Sequence, residues 1–254
     1  MKRFGFILVL SLSLLIALFQ CSISEEEFSK VKTEQATKTF ESITELEIEN
    51  VTGSIEISNW DKDFVEVTYI KKAKTQRLLE KIEVNFEQRS NLLSVKTELP
   101  KKCHRCSVKY LVSIPGSFES IDTKTVTGSV LFNDLKYVGQ LRGTSITGSI
   151  KGSVSCKDVE LDVTTGRIDL ELVEISDDGS IDIHVITGGV KLTAPSNFNA
   201  EVDFKAVTGS IRTDFSVETV GKIARNRLEG TIGNGAIPCS IQTVTGSIHL
   251  IRKN

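Results

Sequence analysis

Two cysteines stand three residues apart in the segment Cys103-His104-Arg105-Cys106, the most reactive short stretch of the sequence. Two thiols at this spacing can form a short disulfide, stay free, supply half of a metal site or carry out redox exchange. A zinc site would need a second Cys-x-x-Cys or a His-x-x-x-His pair, and the sequence contains neither. For an exported chain we predict a disulfide between Cys103 and Cys106, with no metal and no cofactor. Redox or metal chemistry at this pair stays open as an alternative function.

A second candidate site is a column of polar residues that recurs about every 20 residues. Asp162, His184 and Lys205 occupy the same position in three successive repeats. An acid, an imidazole and an amine on one face would suit polysaccharide cleavage, so a carbohydrate-active β-helix enzyme is an alternative function. The other repeats carry unrelated residues at this position: Glu49, Lys124, Thr144, Asn226 and Gln242. Such a mixture is typical of a solvated face, and we predict no catalytic residue and no enzymatic activity.

The N-terminus predicts export. Lys2 and Arg3 precede an apolar run of roughly 16 residues, which is short for a membrane-spanning helix and typical of a secretory signal. Cys21 follows this run, where an ordinary signal peptide would end in small residues. The segment Leu18-Phe-Gln-Cys21 resembles the lipobox of bacterial lipoproteins, in the loosened form found in spirochaetes. The resemblance implies lipidation of Cys21 and removal of residues 1–20, with a retained anchor helix as the alternative.

Charge and composition limit the class of partner. The chain carries 31 basic and 33 acidic residues, a net charge of −2 at pH 7, so we predict neither a basic face nor a nucleic acid partner. A lipid on Cys21 would place the chain in the cell envelope. Ser22, by the enterobacterial sorting rule, favours the outer membrane. The predicted partners are therefore the membrane, through the lipid, and a protein or polysaccharide ligand.

One pentapeptide, Val-Thr-Gly-Ser-Ile, recurs at Val51, Val207 and Val244, with close variants elsewhere. Its central glycines define eight repeats, most of them about 20 residues apart. They are Gly53, Gly128, Gly148, Gly166, Gly188, Gly209, Gly230 and Gly246. A β-branched residue follows each glycine by two positions, and apolar residues precede most of them by two, five and seven positions. This period of two on each side predicts a strand, a glycine corner and a second strand in every repeat.

One strand–corner–strand unit cannot bury its own apolar side, whereas stacked copies can. A repeat of about 20 residues suits one coil of a parallel β-helix, so we predict an all-β, right-handed parallel β-solenoid. Each apolar column, including Val126 and Ile146 two residues before the glycine, should form an interior ladder. With coils stacked in chain order, Cys156 and Cys239 would lie about four coils apart, too far for a disulfide.

The repeats divide the chain into a leader, a tether and one domain. Residues 1–20 are the predicted signal peptide, and residues 21–40, rich in Glu, Lys, Thr and Ser, are predicted to be a flexible tether. Residues 41–254 form the predicted solenoid. Within it, residues 60–115 lack the corner pattern, and we expect them to form an irregular, strand-rich cap that covers one end of the stack.

The recurrent corners, the segment Gly53-Ser-Ile-Glu-Ile-Ser-Asn-Trp60 and the strand end Val112-Ser-Ile-Pro115 resemble a bacterial "putative adhesin" β-helix family of unknown function. The resemblance covers residues 41–254. It implies an exported or envelope-attached β-solenoid and brings no catalytic residues. We therefore expect a lipid-anchored, extracytoplasmic β-solenoid that acts without catalysis, as an adhesin-like binding protein or an envelope scaffold.

Overall fold

The computed structural model describes residues 31–219 and 224–253. These residues form one 16-stranded sheet and one short helix, so the predicted all-β class is confirmed. In chain order the elements are β1 (Lys32–Glu41), β2 (Glu45–Thr52), β3 (Ile55–Asn59), β4 (Phe64–Ala73), α1 (Gln76–Leu79), β5 (Glu83–Arg89), β6 (Leu92–Glu98), β7 (Ser107–Ile114), β8 (Phe118–Thr127), β9 (Val130–Thr187), β10 (Val190–Ala194), β11 (Ala200–Thr208), β12 (Ile211–Thr213), β13 (Glu218–Thr219), β14 (Arg227–Ile232), β15 (Ile237–Thr245) and β16 (Ile248–Arg252). In this part of the chain no helix is long and apolar enough to cross a membrane.

Parallel pairing places the same position of successive repeats side by side. On one side of the corner, Leu46 of β2 pairs with Ile121 of β8, and Ile121 pairs with Leu141 of β9. On the other side, Ile55 of β3 pairs with Val130 of β9. These residues stand seven positions before and two positions after their glycines. The register of these strands therefore agrees with the alignment of the repeats on the glycines.

The last repeat does not lie at the end of the stack. β15 pairs with β9 on one side and with β11 on the other, so Cys239 lies opposite both Ile181 and Val202. β16 likewise lies between β10 and β12. The C-terminal repeat is thus inserted between two earlier ones, and the prediction that the repeats stack in chain order is wrong. Cys156 and Cys239 are consequently two rows apart rather than four.

The N-terminal end of the sheet combines parallel pairs, β3 with β7 and β2 with β6, with antiparallel ones. β1 pairs with β4 along its whole length, from Lys32 opposite Ala73 to Glu41 opposite Phe64, and β4 pairs with β7. β5 and β6 form a second antiparallel pair. The tether prediction is wrong for residues 32–40, because backbone pairing holds this polar segment in the sheet although most of its side chains are exposed. The signal peptide and residues 21–30 lie outside the described residues.

Gly230 is not a corner glycine, and its predicted role is wrong. It lies inside β14, where it pairs antiparallel with Val202 of β11 and with Thr219 of β13. β14 reverses direction and covers the outer edge of β11 instead of starting another parallel row. Glycine is required here for a different reason: a Cβ atom would lie 2.4 Å from the carbonyl oxygen of Glu218.

Side chains from both sides of each corner meet in one apolar core. Among the largest fully buried side chains are Tyr110, Phe132 and Phe204. The hydroxyl of Tyr110 lies 2.5 Å from Thr97 Oγ1, and burial raises the pKa of Tyr110 to about 12. This hydrogen bond provides the partner that a buried phenol needs.

Candidate ligand-binding face

The corner glycines lie above one another because their backbones approach more closely than a side chain would allow. A Cβ atom at Gly128 would lie 1.9 Å from the carbonyl oxygen of Gly53, and one at Gly188 would lie 1.4 Å from that of Gly166. Gly188 also has a φ of +140°, which side chains disfavour. From one end of the column to the other, the order is Gly53, Gly128, Gly148, Gly166, Gly188, Gly246 and Gly209. This column fixes the edge along which the two strands of every repeat meet.

Small polar side chains line the inside of the corner, three residues before the glycine. Thr243 Oγ1 donates to the Gly188 carbonyl oxygen at 3.1 Å, and Asn50 Nδ2 donates to the Val108 carbonyl oxygen at 2.8 Å. These bonds give carbonyl oxygens at the turn a hydrogen-bond partner. This feature was not predicted from the sequence. The signal was the recurrence of small polar residues at this position in Asn50, Thr125, Ser145 and Thr243.

Apolar β-branched side chains are exposed along the outside of the corner, two residues before five of the corner glycines. The exposed fractions are 44% for Val126, 48% for Ile146, 52% for Ile186, 48% for Val244 and 72% for Val207. We call these five residues the corner ridge. The prediction that this column forms an interior ladder is wrong. The chain turns at this point, and both residues directly before the glycine face outward.

The corner ridge is interrupted at one position only. Val126 and Ile146 form one segment, and exposed Thr164 separates it from the other three members. Neighbouring rows of a sheet lie about 4.8 Å apart, so adjacent ridge side chains are within van der Waals reach. Threonines directly before the glycines form an exposed row of hydroxyl groups beside the ridge. Exposed apolar side chains that adjoin one another, as Ile186, Val244 and Val207 do, are typical of an interaction site.

A shallow groove of about 560 Å³ lies beside the ridge, on the side of β9 and β10. Most corners carry serine directly after the glycine: Ser54, Ser129, Ser149, Ser210 and Ser247. The repeat of Gly188 has Gly189 at this position and therefore no side chain to fill the space. We call this space, lined by Gly166, Gly188 and Gly189 among others, the corner groove.

Exposed cationic side chains border the corner groove. Arg167 stands where most corners carry serine. Lys191 is paired in register with Asp169, and Arg212 lies two rows beyond Lys191 on the same face. Lys151 occupies the position equivalent to that of Asp169 in the preceding repeat. We call Lys151, Arg167, Lys191 and Arg212 the basic stripe.

The polar column considered for catalysis lies on the strands that precede the corner. His184 Nε2 lies 3.1 Å from Asp182 Oδ1 of its own strand, and Lys205 likewise pairs with a carboxylate of its own strand. Gln242 separates Lys205 from His184 because β15 lies between β9 and β11. Burial raises the pKa of the Asp162 carboxyl, while nearby His184 opposes this shift. The structure therefore does not bring Asp162, His184 and Lys205 together as one acid–base unit.

Cys103 and Cys106 are joined by a disulfide, with their Cα atoms 5.6 Å apart. Cys156 and Cys239 are free and buried, and burial raises the pKa of the Cys156 thiol to about 12. Within residues 31–219 and 224–253, no group of three or more His, Cys, Asp or Glu side chains is placed to hold a metal ion.

Thiol labelling checks this assignment. The full chain with Cys21→Ala is expected to react negligibly with a thiol reagent at pH 8 while folded, because only thiolates react and burial keeps Cys156 and Cys239 protonated. Unfolding without reductant should expose two thiols, and reduction should raise the count to four. Mass spectrometry of the labelled chain gives the count. Four labels before reduction would contradict the disulfide.

The family model described as Toastrack DUF4097 matches residues 116–250. A "putative cell adhesion protein" from Clostridium sporogenes has a TM-score of 0.54 at 12% identity, covering 87% of this chain and 100% of that chain. A "putative adhesin" from Bacteroides fragilis has a TM-score of 0.39 at 13% identity, covering 86% of this chain and 97% of that chain. No curated protein matches the chain. The likeness to the clostridial structure shows a shared fold.

Proposed function

The chain belongs to the Toastrack DUF4097 family, and on that premise we propose that it is a non-catalytic, adhesin-like binding protein of the cell envelope. Its ligand-binding surface is the corner ridge together with the adjoining corner groove. The observation that carries the proposal is the exposed line of five β-branched side chains along the corner. Such a line can bury apolar area against a partner, which is the main favourable contribution to most protein association.

The frame behind the ridge supports this role because it holds the side chains in place before a ligand arrives. The Gly188 N–H donates to the Thr245 carbonyl oxygen at 2.8 Å, and the Gly246 N–H donates to the Thr208 carbonyl oxygen at 2.9 Å. Valine and isoleucine side chains have few rotamers of their own. A surface that is already ordered loses little conformational entropy on binding.

The proposal includes the architecture, a right-handed parallel β-solenoid with coils of about 20 residues. The parallel register between residues one repeat apart, such as Ile121 and Leu141, supports it. The strong preference of parallel crossover connections for the right hand supports the handedness. In such a frame every ridge residue lies on one edge, where a long ligand can contact several repeats at once.

We further propose that Cys21 is lipidated after removal of residues 1–20 and anchors the chain in the outer membrane. The support is the lipobox-like segment that ends at Cys21 and the apolar run before it. A single acyl chain gives only marginal membrane binding, so stable anchoring would need a second acyl chain or a polybasic segment in addition to the first lipid on Cys21. The binding surface would then act next to the membrane.

Cell attachment tests the proposed function. Bacterial cells that display the full chain are expected to attach to at least one of three surfaces, coated separately with fibronectin, collagen or polygalacturonate. Replacing Ile146, Ile186 and Val244 together with serine should reduce attachment at least about tenfold, because each change removes apolar area from the contact. Bound cells are counted after washing. Wild-type cells that attach to none of the three coatings would overturn the proposal.

Two controls separate the ridge from general surface effects. Tyr137 and Val173 are exposed apolar residues outside the ridge, at 69% and 44%. Their combined replacement by serine should leave attachment unchanged, and a loss equal to that of the ridge variant would contradict a specific role for the ridge. Cells carrying Cys21→Ala should lose attachment, while the purified Cys21→Ala chain should bind the same coating as the wild type.

A further inference from the structure

We propose that the corner groove and the basic stripe bind an acidic polysaccharide that lies along the stack of repeats. This inference rests on the proposed binding function and names the ligand class for that surface. It corrects the prediction, made from net charge alone, that the chain has no basic face. The stripe is local: it shares its strand faces with Asp169, Glu171 and Asp214, and among the described residues Lys191 is the one member paired with a carboxylate, that of Asp169.

The charges of the basic stripe are available to a ligand. Lys191 Nζ lies 3.2 Å from Asp169 Oδ1, and the two side chains are 49% and 42% exposed. Among the described residues, the other three members of the stripe have no carboxylate within ion-pair distance. On the strands before the corner the cations are instead paired with carboxylates. Arg142 Nε, for example, lies 2.8 Å from Glu160 Oε2. Among the described strands that flank the corner, a polyanion would therefore find free positive charge on the strands after it and paired charge on the strands before it.

The spacing of the cations suits a linear polymer. Lys191 and Arg212 lie two rows apart in the sheet, which corresponds to about 10 Å. Lys151 precedes Lys191 by the same number of repeats. An extended polysaccharide with an acidic group on every sugar, such as polygalacturonate, places every second charge at a comparable interval. Three such charges could thus meet one cation each, and Arg167 beside the groove could contact the middle one.

The lining of the corner groove suits sugar hydroxyl groups. Ser149, Thr187 and Ser247 contribute hydroxyl groups, and the glycines leave backbone N–H and C=O groups within reach of a ligand. The described lining residues include no aromatic side chain. Base-stacking platforms, on which single-stranded nucleic acid binding depends, are therefore missing from this site. A flat bilayer surface would contact the protruding cations and leave the groove empty, so a polysaccharide uses more of the site than a membrane does.

Binding to immobilised polysaccharides tests the inference. The full chain, extracted in mild detergent, is expected to bind polygalacturonate and heparin but not neutral dextran, with an affinity that falls as salt is raised. Replacing Arg167, Lys191 and Arg212 together with glutamine should raise Kd at least about tenfold. A second variant, Gly189→Ser, adds the serine found at most other corners and should weaken binding without changing charge. Surface plasmon resonance gives Kd for each protein variant on each polysaccharide.

The matched control removes the same charge from the other side of the corner. Lys124, Arg142 and Lys205 pair there with carboxylates, and their combined replacement by glutamine should change Kd less than about twofold. An equal loss in both triple variants would overturn the inference, because it would reflect net charge alone. So would stronger binding to phosphatidylglycerol vesicles or to DNA than to both acidic polysaccharides.

The two proposals fail in different ways. If neither acidic polysaccharide binds, but ridge-dependent attachment to fibronectin or collagen persists, the ligand class is wrong and the adhesin-like function stands. If the ridge variant attaches as well as the wild type to every coating, the proposed function fails, whatever the basic stripe binds.

Discussion

Replacing Gly188 with alanine is expected to destabilise the fold by more than about 4 kcal/mol, which is exceptional for a single methyl group. The added Cβ atom would lie 1.4 Å from the carbonyl oxygen of Gly166, and that oxygen belongs to backbone that cannot rotate away. The φ of +140° at Gly188 adds strain for any L side chain. The rows on both sides of Gly188 would have to separate, with loss of parallel hydrogen bonds such as that between the Gly188 N–H and the Thr245 carbonyl oxygen. Urea denaturation followed by far-ultraviolet circular dichroism measures the effect.

Gly116→Ala is the matched control for this change. Gly116 is exposed, and a Cβ atom there would meet nothing within 4 Å. The free energy of unfolding should change by no more than about 0.5 kcal/mol, as for most surface substitutions. A Gly188→Ala protein as stable as the Gly116→Ala protein would show that the corner backbones are not in close contact.

The alternation of apolar and polar residues was enough to predict the strands and much of their register. Leu46, Ile121 and Leu141 could be placed in one buried column because a strand side chain in the core recurs every two residues and a row recurs every repeat. The glycines supplied the alignment, since a close backbone approach at each corner excludes any other residue. Where the local geometry dictates the residue type, a single sequence is therefore sufficient to predict the structure.

The position of the last repeat could not be predicted, because the repeats are too similar to specify their neighbours. Val244 and Val207 begin identical pentapeptides, and either row would satisfy the apolar column of the row beside it. The order is decided by the chain between the repeats. β14 turns back antiparallel on β11, which leaves the row between β9 and β11 for β15. A long-range choice of this kind leaves no periodic trace in the sequence.

Two other errors have local causes. The ridge residues were predicted to lie in the core because valine and isoleucine are usually buried. At a corner, however, the side chain on the outside of the turn points away from the core, and no other strand packs over it. Strand β1 was missed because neither of its faces is apolar, so the pattern that predicts strands is absent and only backbone pairing with β4 holds it.

The corner groove has a signal in the sequence. Serine follows the glycine at most corners, and the departures Arg167 and Gly189 stand in consecutive repeats. In a stack, consecutive repeats are neighbours in space, so two departures together mark one place on the surface. The two residues that break the pattern thus indicate the place of the corner groove.

Replacing Leu141 with aspartate should destabilise the fold by more than about 4 kcal/mol, because it buries a carboxylate with no partner. Leu141 is 0% exposed and lies in register with Ile121, which is also 0% exposed. Desolvation would hold the pKa of the introduced carboxyl above its value in the unfolded chain, near 4. The neutral form costs less to bury, so the loss should be smallest below pH about 4 and grow as the pH rises toward 7.

Thr144→Asp, three residues further along the same strand, separates burial from charge. Thr144 is exposed and lies in register with Lys124, so the new carboxylate would remain solvated beside a cation. Its effect on the free energy of unfolding should stay within about 0.5 kcal/mol at any pH between 4 and 8. Urea titrations of both variants at pH 4 and pH 7 provide the measurement. A Leu141→Asp protein whose loss is the same at both pH values would mean that the introduced carboxyl reaches water, and that the column through Ile121 and Leu141 is not the closed interior that holds the ridge in place.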